Sequence, residues 1–346
     1  MQKTLFALAF GLASTSFAGS LNLDMRADYS STSYKESVLP DSNRFYLKTG
    51  RLDYNGKVLE DISFRVRWAF AKDATVLKTD NAQKALELAY LSHKLSDNFT
   101  LTLGRLNTEF GGFEGMNGSP DLYLTSEFYT QSGPNGNLPG DNYGTAALLY
   151  MTGIKATYST DNHLFHLLAT NENIDEAAAQ VNQDAPMVGV VWRGNFFEKG
   201  LGTTLSYHTQ KGDNSGDRHQ FMAAGLMWRG SQFMAVADYL VSTFKLDSAN
   251  ETDSVTSVVG KIAYLGWENW MPRLEITSSE EKHETGAAEK NKYFGYGAVV
   301  EYYPYTDKNF RYQVAFTNVE LKPETGNRVT RQEIVVGTRL LADFLK

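Results

Sequence analysis

The sequence predicts an all-β protein: a transmembrane antiparallel β-barrel of about 16 strands. Three observations predict this fold. Segments of roughly ten residues alternate between apolar and polar side chains, and polar connections rich in Gly, Asn and Asp separate them. Those connections also alternate between short and long along the chain.

The segment ISFRVRWAF shows the alternation that repeats throughout the chain. Phe64, Val66 and Trp68 share one parity with the other large apolar residues, whereas Arg65 and Arg67 fall on the opposite parity. In a soluble sandwich the apolar face would form the core and the arginines would meet bulk water. In a membrane barrel the apolar face meets lipid, and the arginines line a water-filled lumen.

The lengths of the connections favour the membrane barrel. A sandwich gives no reason to segregate short and long connections, whereas membrane barrels carry short turns at one end and long loops at the other. Because lipid offers no hydrogen-bond partner, such a sheet must also close on itself. The predicted short connections are 96–98, 159–162, 198–200 and 230–231, and the long ones are 30–43, 71–84, 106–144, 171–185, 246–253, 279–291 and 320–330, with 211–218 intermediate.

Composition narrows the functional classes. The 346 residues contain no cysteine, which excludes disulfides and thiolate metal sites. The net charge of −7 argues against a nucleic-acid partner, because phosphate binding needs a basic surface. A mean hydropathy of −0.37 is compatible with a membrane barrel, since the lumenal half of every strand is polar.

The N-terminus predicts export. Lys3, the apolar run TLFALAFGLA and the small residues Ser16 and Ala18 form the pattern of a signal peptide over residues 1–18. The barrel would then comprise residues 19–346. A buried N-terminal helix is the alternative interpretation.

The connection at 106–144 is far longer than a hairpin needs, and loops of this length usually carry function or are disordered. Phe110, Phe113 and Phe128 give it apolar surface with which to fold back onto the barrel. We therefore expect this loop to fold inward and to constrict the lumen.

Alternation also predicts which charges face the lumen. The predicted basic residues are Arg26, Lys48, Arg65, Arg67, Lys155, Arg193, Lys261, Arg273, Arg311 and Arg339, and the acidic ones are Asp24, Asp28, Glu87, Asp238, Glu275 and Glu301. The long loop is acidic instead. We hypothesise a basic pore wall of Arg26, Lys48, Arg65 and Arg67 opposite the loop residues Glu109, Glu114, Asp121 and Glu127, which would produce a transverse field and a preference for anions. Scattered lumenal charges that form salt bridges are the alternative.

Two features resemble a known family. The insertion follows the fifth strand, as does the inward third external loop of sixteen-stranded Gram-negative outer-membrane porins. The stretch LTLGRLNTEFGGFEG, residues 101–115, is similar to the Gly-Arg…Phe-Gly pattern of phosphate-selective porins of the O/P type, with Glu109 where that pattern often has proline. The resemblance implies a homotrimer in the outer membrane, in contact with lipid and lipopolysaccharide, through which small hydrophilic solutes and ions diffuse passively.

An enzyme is the main competing class. His208 and His219 flank a connection and could approach each other across a hairpin. The sequence has no GxSxG elbow, no HExxH and no phosphate-cradling glycine motif. We therefore expect no catalytic residue, no metal and no cofactor. A barrel hydrolase, an adhesin without channel activity and a soluble secreted β protein remain alternatives.

Overall fold

The computed structural model describes residues 19–37, 39–71, 86–116, 121–130, 149–171, 186–198, 200–211, 218–246, 251–284 and 289–345. The predicted signal peptide and part of the long loop lie outside these residues. Sixteen antiparallel strands form a closed barrel in which each strand pairs with its neighbours in sequence and the first pairs with the last. The strands are β1 (Gly19–Lys35), β2 (Ser42–Lys57), β3 (Ile62–Ala71), β4 (Leu86–Lys94), β5 (Phe99–Asn107), β6 (Tyr150–Ser159), β7 (His163–Thr170), β8 (Met187–Phe196), β9 (Leu201–Lys211), β10 (Arg218–Arg229), β11 (Phe233–Leu246), β12 (Glu251–Tyr264), β13 (Trp270–His283), β14 (Glu289–Tyr302), β15 (Phe310–Pro323) and β16 (Val329–Asp343).

The outer face of the barrel is apolar, as the alternation predicts. On β3 the side chains of Val66, Trp68 and Phe70 point outward and are exposed, and Leu91 on β4 is exposed beside them. Large apolar side chains on an outer barrel surface meet lipid rather than water. The predicted class and strand number are confirmed.

The connections differ from the prediction at the end that carries the long loops. β13 and β14 continue their pairing as far as His283 and Glu289, which leaves only residues 284–288 between them. Strand residues therefore make up most of the predicted loops 279–291 and 320–330 and half of 246–253, where residues 247–250 lie outside the described part of the chain. The polar residues there misled the prediction, because strand ends outside the apolar band are polar on both faces.

Register shifts are concentrated where β1 to β4 meet. Arg26 pairs with Thr49 while Ala27 pairs with Leu47, so Lys48 is the extra residue of a bulge. A second shift makes Phe70 of β3 the extra residue opposite β2, and a third makes Glu87 of β4 the extra residue opposite β3. Each bulge reverses the alternation beyond it, and this reversal decides which charges enter the lumen.

Part of the lumen holds a hydrophobic core. Two short helices, α1 (Phe113–Met116) and α2 (Glu127–Thr130), belong to the long loop after β5 and lie against the inner wall. The core that this loop forms with the wall consists of Phe110, Phe128, Tyr129, Met151, Met187, Phe221, Ala223, Leu240 and Val259. Neither of these helices, nor any other in the described part of the chain, has the length and apolar character to span a membrane.

Candidate functional site

Aromatic packing attaches the inward loop to the wall. Phe110 stacks on Phe128 with ring centroids 5.3 Å apart, and the edge of Phe221 on β10 meets Phe110 at 4.7 Å. Phe128 has no exposed surface, and His208 on β9 is equally buried beside Phe110. Burial of each phenylalanine side chain contributes about 1.5–3 kcal/mol, so this packing holds the loop against the wall.

A wall carboxylate holds the start of α1. Asp238 on β11 accepts hydrogen bonds from the backbone N–H groups of Phe113 (2.9 Å) and Glu114 (2.7 Å). The approach is close because Gly112 has no side chain: a Cβ there would lie 2.5 Å from the Asp238 carboxyl. These hydrogen bonds hold the loop to a wall residue that lies 124 positions further along the sequence.

Glu114 faces the interior of the loop. Its carboxylate accepts hydrogen bonds from the backbone N–H (2.9 Å) and the hydroxyl (2.6 Å) of Ser126, and the residue has no exposed surface. Burial raises the pKa of Glu114 above its usual value, although Lys261 and the bonds from Ser126 oppose the shift. The side chain links the two halves of the loop.

Glu109 binds two wall cations at once. Its carboxylate lies 2.7 Å from Lys155 Nζ on β6 and 2.6 Å from an Arg193 Nη on β8. Burial of the carboxyl opposes ionisation, but the charges of Lys155 and Arg193 outweigh it and lower the pKa of Glu109 to about 2.

Asp121 of the loop binds a second group of wall cations. Its Oδ1 accepts hydrogen bonds from Nη1 of Arg311 on β15 (2.8 Å) and Nη1 of Arg339 on β16 (2.6 Å). Burial works against the charged form, but these guanidinium groups prevail and lower the pKa of Asp121. Arg273 donates to the carbonyl oxygen of the same residue at 3.2 Å.

Arg26 lies against the loop. Its guanidinium carbon is 4.3 Å from the ring centroid of Tyr123, and that of Arg273 is 5.3 Å from the same ring, so the ring contacts two cations. Arg26 also forms an ion pair with Asp28 at 2.9 Å and is almost completely buried.

A different environment surrounds Arg65 and Arg67. Arg65 binds Asp53 of β2 at 2.6 Å, and Arg67 binds Glu87 of β4 at 2.9 Å. Arg51 of β2 binds Glu87 as well, at 3.0 Å. Three guanidinium groups therefore share two carboxylates, and 36% of the Arg65 side chain is exposed.

The predicted basic and acidic sets thus occupy several distinct places. Arg26 contacts the loop at Leu122 and Tyr123, Lys48 occupies a bulge, and Arg65 and Arg67 pair with wall acids. Glu109 and Asp121 pair with cations that were predicted to face the lumen but not to belong to the four-residue pore wall, and Glu114 is buried within the loop. The backbone N–H of Glu127 donates to Ser279 on β13 at 3.3 Å. Whether these residues select ions stays a prediction.

Sequence reasoning missed Arg51. Strict alternation from Lys48 directs Arg51 toward lipid, but the bulge at Lys48 reverses the parity and brings Arg51 to Glu87. Gly50 beside the bulge was the available signal, since glycine within a strand often marks one. The partners of Glu109 and Asp121 depend on the path of the loop, which alternation does not encode.

The two histidines considered for an enzyme are part of the packing. His208 Nε2 lies 3.0 Å from the carbonyl oxygen of Thr108, and His219 Nε2 lies 3.2 Å from the hydroxyl of Ser242. Both rings contact phenylalanines of the core. Within the described ranges, no group of three or more His, Asp or Glu side chains is placed to hold a metal ion.

Comparison with known proteins agrees with this architecture. The family model described as "Phosphate-selective porin O and P" matches residues 20–264. No curated protein matches the sequence. Among solved structures, the outer membrane channel DcaP of Acinetobacter baumannii is similar with a TM-score of 0.71 and 13% identity over 95% of this chain and 98% of that one. An anion-selective porin from Comamonas acidovorans gives 0.65 and 11% over 94% and 100%, and the trimer form of OmpT from Vibrio cholerae gives 0.63 and 12% over 94% and 100%.

Proposed function

Because the chain belongs to the family of phosphate-selective porins O and P and is an outer-membrane channel, we propose that it lets small hydrophilic solutes and ions diffuse passively, with a preference for anions. The observation that carries the anion preference is the cluster of Arg51, Arg65 and Arg67, which pair with two carboxylates, Asp53 and Glu87, among the described residues of the lumenal wall. A partly exposed guanidinium beside a water-filled path attracts anions.

The distribution of charge supports this preference. Glu109 lies between two cations, Lys155 and Arg193, which leaves a second excess positive charge on the lumenal side. The cluster around Asp121 is balanced, with five cations and five carboxylates: Arg26, Lys261, Arg273, Arg311 and Arg339 against Asp24, Asp28, Asp121, Glu275 and Glu301. Cations therefore exceed carboxylates at two places on the lumenal side, around Glu87 and around Glu109, although the whole chain is acidic and Asp238 and Glu114 add two carboxylates beneath the loop.

The path for solutes lies beside the wall of β2 to β4. The loop and its aromatic core fill the lumen next to β9 to β12, whereas the arginines of β2 and β3 pair with acids of the wall itself. The loop over residues 106–144 acts as the constriction. Arg65, Arg67 and Lys48 form the basic side, and the exposed edge of Asp121, together with Glu109 and Glu127, forms the loop side. Arg26 and Glu114 hold the loop in place.

Three further features belong to this proposal. Residues 1–18 direct export as a signal peptide. The protein assembles as a homotrimer in contact with lipid and lipopolysaccharide; one similar structure, OmpT of Vibrio cholerae, is described in a trimer form. The channel performs no enzymatic reaction, which agrees with the structural contacts of His208 and His219.

Planar-bilayer recordings test the proposal. In a KCl gradient we expect the wild-type reversal potential to indicate anion preference, and the double variant Arg65→Glu/Arg67→Glu to shift it toward cations, because four units of charge change beside the path. The matched control is Lys282→Glu/Lys290→Glu, which makes the same change in net charge at exposed strand ends. An identical reversal potential in the wild type and the Arg65/Arg67 variant would remove these arginines from the selective site. Folded protein without conductance would favour an adhesin or a barrel hydrolase.

A further inference from the structure

A cavity of about 590 Å³ lies between the inward loop and the short turns of the barrel. Its lining combines Asp121 of the loop with Arg311 and Arg339 of the wall and with residues of the turns that follow β10, β12 and β14. Short turns face the periplasm in outer-membrane barrels, so the cavity lies at the periplasmic mouth. Its volume is in the range of cavities that bind small molecules.

The lining of this cavity favours anions. Four of its charged residues are basic and two are acidic: Arg229, Lys308, Arg311 and Arg339 against Asp121 and Glu268. A concave surface with an excess of positive charge concentrates anions, because the surrounding low-dielectric walls focus its field.

Two of the arginines form a preorganised receptor for a carboxylate. The Nη1 atoms of Arg311 and Arg339 converge on a single oxygen, Oδ1 of Asp121, at 2.8 and 2.6 Å. Neither arginine depends on Asp121 for its position. Asp24 holds Arg339 through two bonds of 2.8 and 3.0 Å, and Gln313 accepts a bond of 3.1 Å from Nε of Arg311.

We propose that this cavity is a binding subsite for small carboxylate solutes, in which a carboxylate of the solute replaces Asp121 on Arg311 and Arg339. About a third of the Asp121 side chain (32%) is exposed, which gives a solute access to the exchange. Departure of Asp121 leaves the otherwise balanced cluster with one positive charge in excess, and the incoming carboxylate neutralises it. Asp121 therefore acts as an internal competitor that keeps the affinity low enough for release. The subsite rests on the proposed channel function only in that solutes must reach the mouth.

Calorimetric titration of the folded protein with succinate tests the subsite. We expect Asp121→Asn to bind succinate about tenfold more tightly than the wild type, because a neutral amide competes poorly for two guanidinium groups. Arg339→Gln should weaken binding about tenfold, and Arg339→Lys, which keeps the charge but loses the two-bond contact to Asp24, should lie between. The control Asp97→Asn removes the same charge from an exposed short turn outside the cavity and should leave affinity unchanged.

The outcomes separate this subsite from the channel proposal. Equal succinate affinity in the wild type, Asp121→Asn and Asp97→Asn would overturn the exchange, as would binding of inorganic phosphate without binding of succinate. Calorimetry measures binding and requires no conductance, so this test remains valid even if the protein does not conduct ions. Conversely, if the channel is anion-selective but Asp121→Asn binds succinate with wild-type affinity, the proposed function stands and the subsite is ruled out. Preserved heat-modifiable mobility in detergent gels establishes that each variant is folded.

Discussion

The lumenal side chains of β9 to β11 and those of β2 to β4 follow the same alternation but occupy different environments. His208 and Leu240 have no exposed surface beneath the aromatic residues of the loop. Arg65, at an equivalent inward position on β3, keeps 36% of its side chain exposed and is bound to a neighbouring strand. An inward position in a membrane barrel is thus either core or channel wall, and the path of one loop decides which. The covered wall holds the loop, and the bare wall is the one that we propose to meet the solute.

Removing an aromatic ring from the covered side should have the largest effect. Phe128→Ala opens a cavity beside Phe110 and Tyr129, which should weaken loop attachment by about 3–5 kcal/mol. We expect strongly increased current noise in single-channel recordings, because the loop then leaves and rejoins the wall. The control Phe165→Ala removes a ring of the same size from the lipid-facing surface. Equally quiet recordings from both variants would show that the aromatic core does not hold the loop.

The stability contributions of two loop glutamates should depend on pH in opposite ways, because Glu109 is ion-paired and Glu114 is a buried acid. The pKa of Glu109 falls from 4.5 to about 2, so its stabilisation of about 3 kcal/mol is complete above pH 4.5 and is lost as pH falls through 2. The pKa of Glu114 is raised, so its ionised form destabilises the fold at neutral pH, and that cost disappears as pH falls toward 4.5.

Glutamine at each position gives a matched pair for this test. Thermal midpoints at pH 7 should fall for Glu109→Gln and stay level or rise for Glu114→Gln. The difference in thermal midpoint between the wild type and Glu109→Gln should disappear as the pH falls from 4.5 to 2. The difference between the wild type and Glu114→Gln should already be absent near pH 4. Parallel pH curves for the two variants would contradict the assigned environments.

The anchor between wall and loop predicts a smaller effect. In Asp238→Asn the amide can accept only one of the two hydrogen bonds from Phe113 and Glu114, and without charge, which should cost about 2 kcal/mol. Hydrogen exchange at these two amides should accelerate, while amides of β13 and β14 keep their protection. Asp161→Asn, in an exposed turn, is the control. Unchanged exchange at Phe113 and Glu114 would show that Asp238 is not the anchor.

The sequence predicted the barrel because alternation and strand count are local properties. The lumenal orientation of Asp238, Glu275 and Arg311 follows from parity alone, and the structure has all three facing inward. Arg51 could not be placed in this way, since one bulge residue, Lys48, reverses the parity. Nor could alternation pair Asp121 with Arg339, because that contact joins residues 218 positions apart through the path of an irregular loop.

The ring of Tyr123 gives the smallest predicted effect and the most specific one. Tyr123→Phe loses only the hydrogen bond that the hydroxyl donates to Glu301 at 3.1 Å, which should cost about 1 kcal/mol. Tyr123→Leu also loses the ring between Arg26 and Arg273, and the difference between the two variants should be about 1 kcal/mol. Thermal midpoints measured with Tyr158→Phe, a lipid-facing control, resolve the two contributions. If both Tyr123 variants melt together, the contact with the two guanidinium groups adds no stability, and the arginines contribute only through their carboxylate partners.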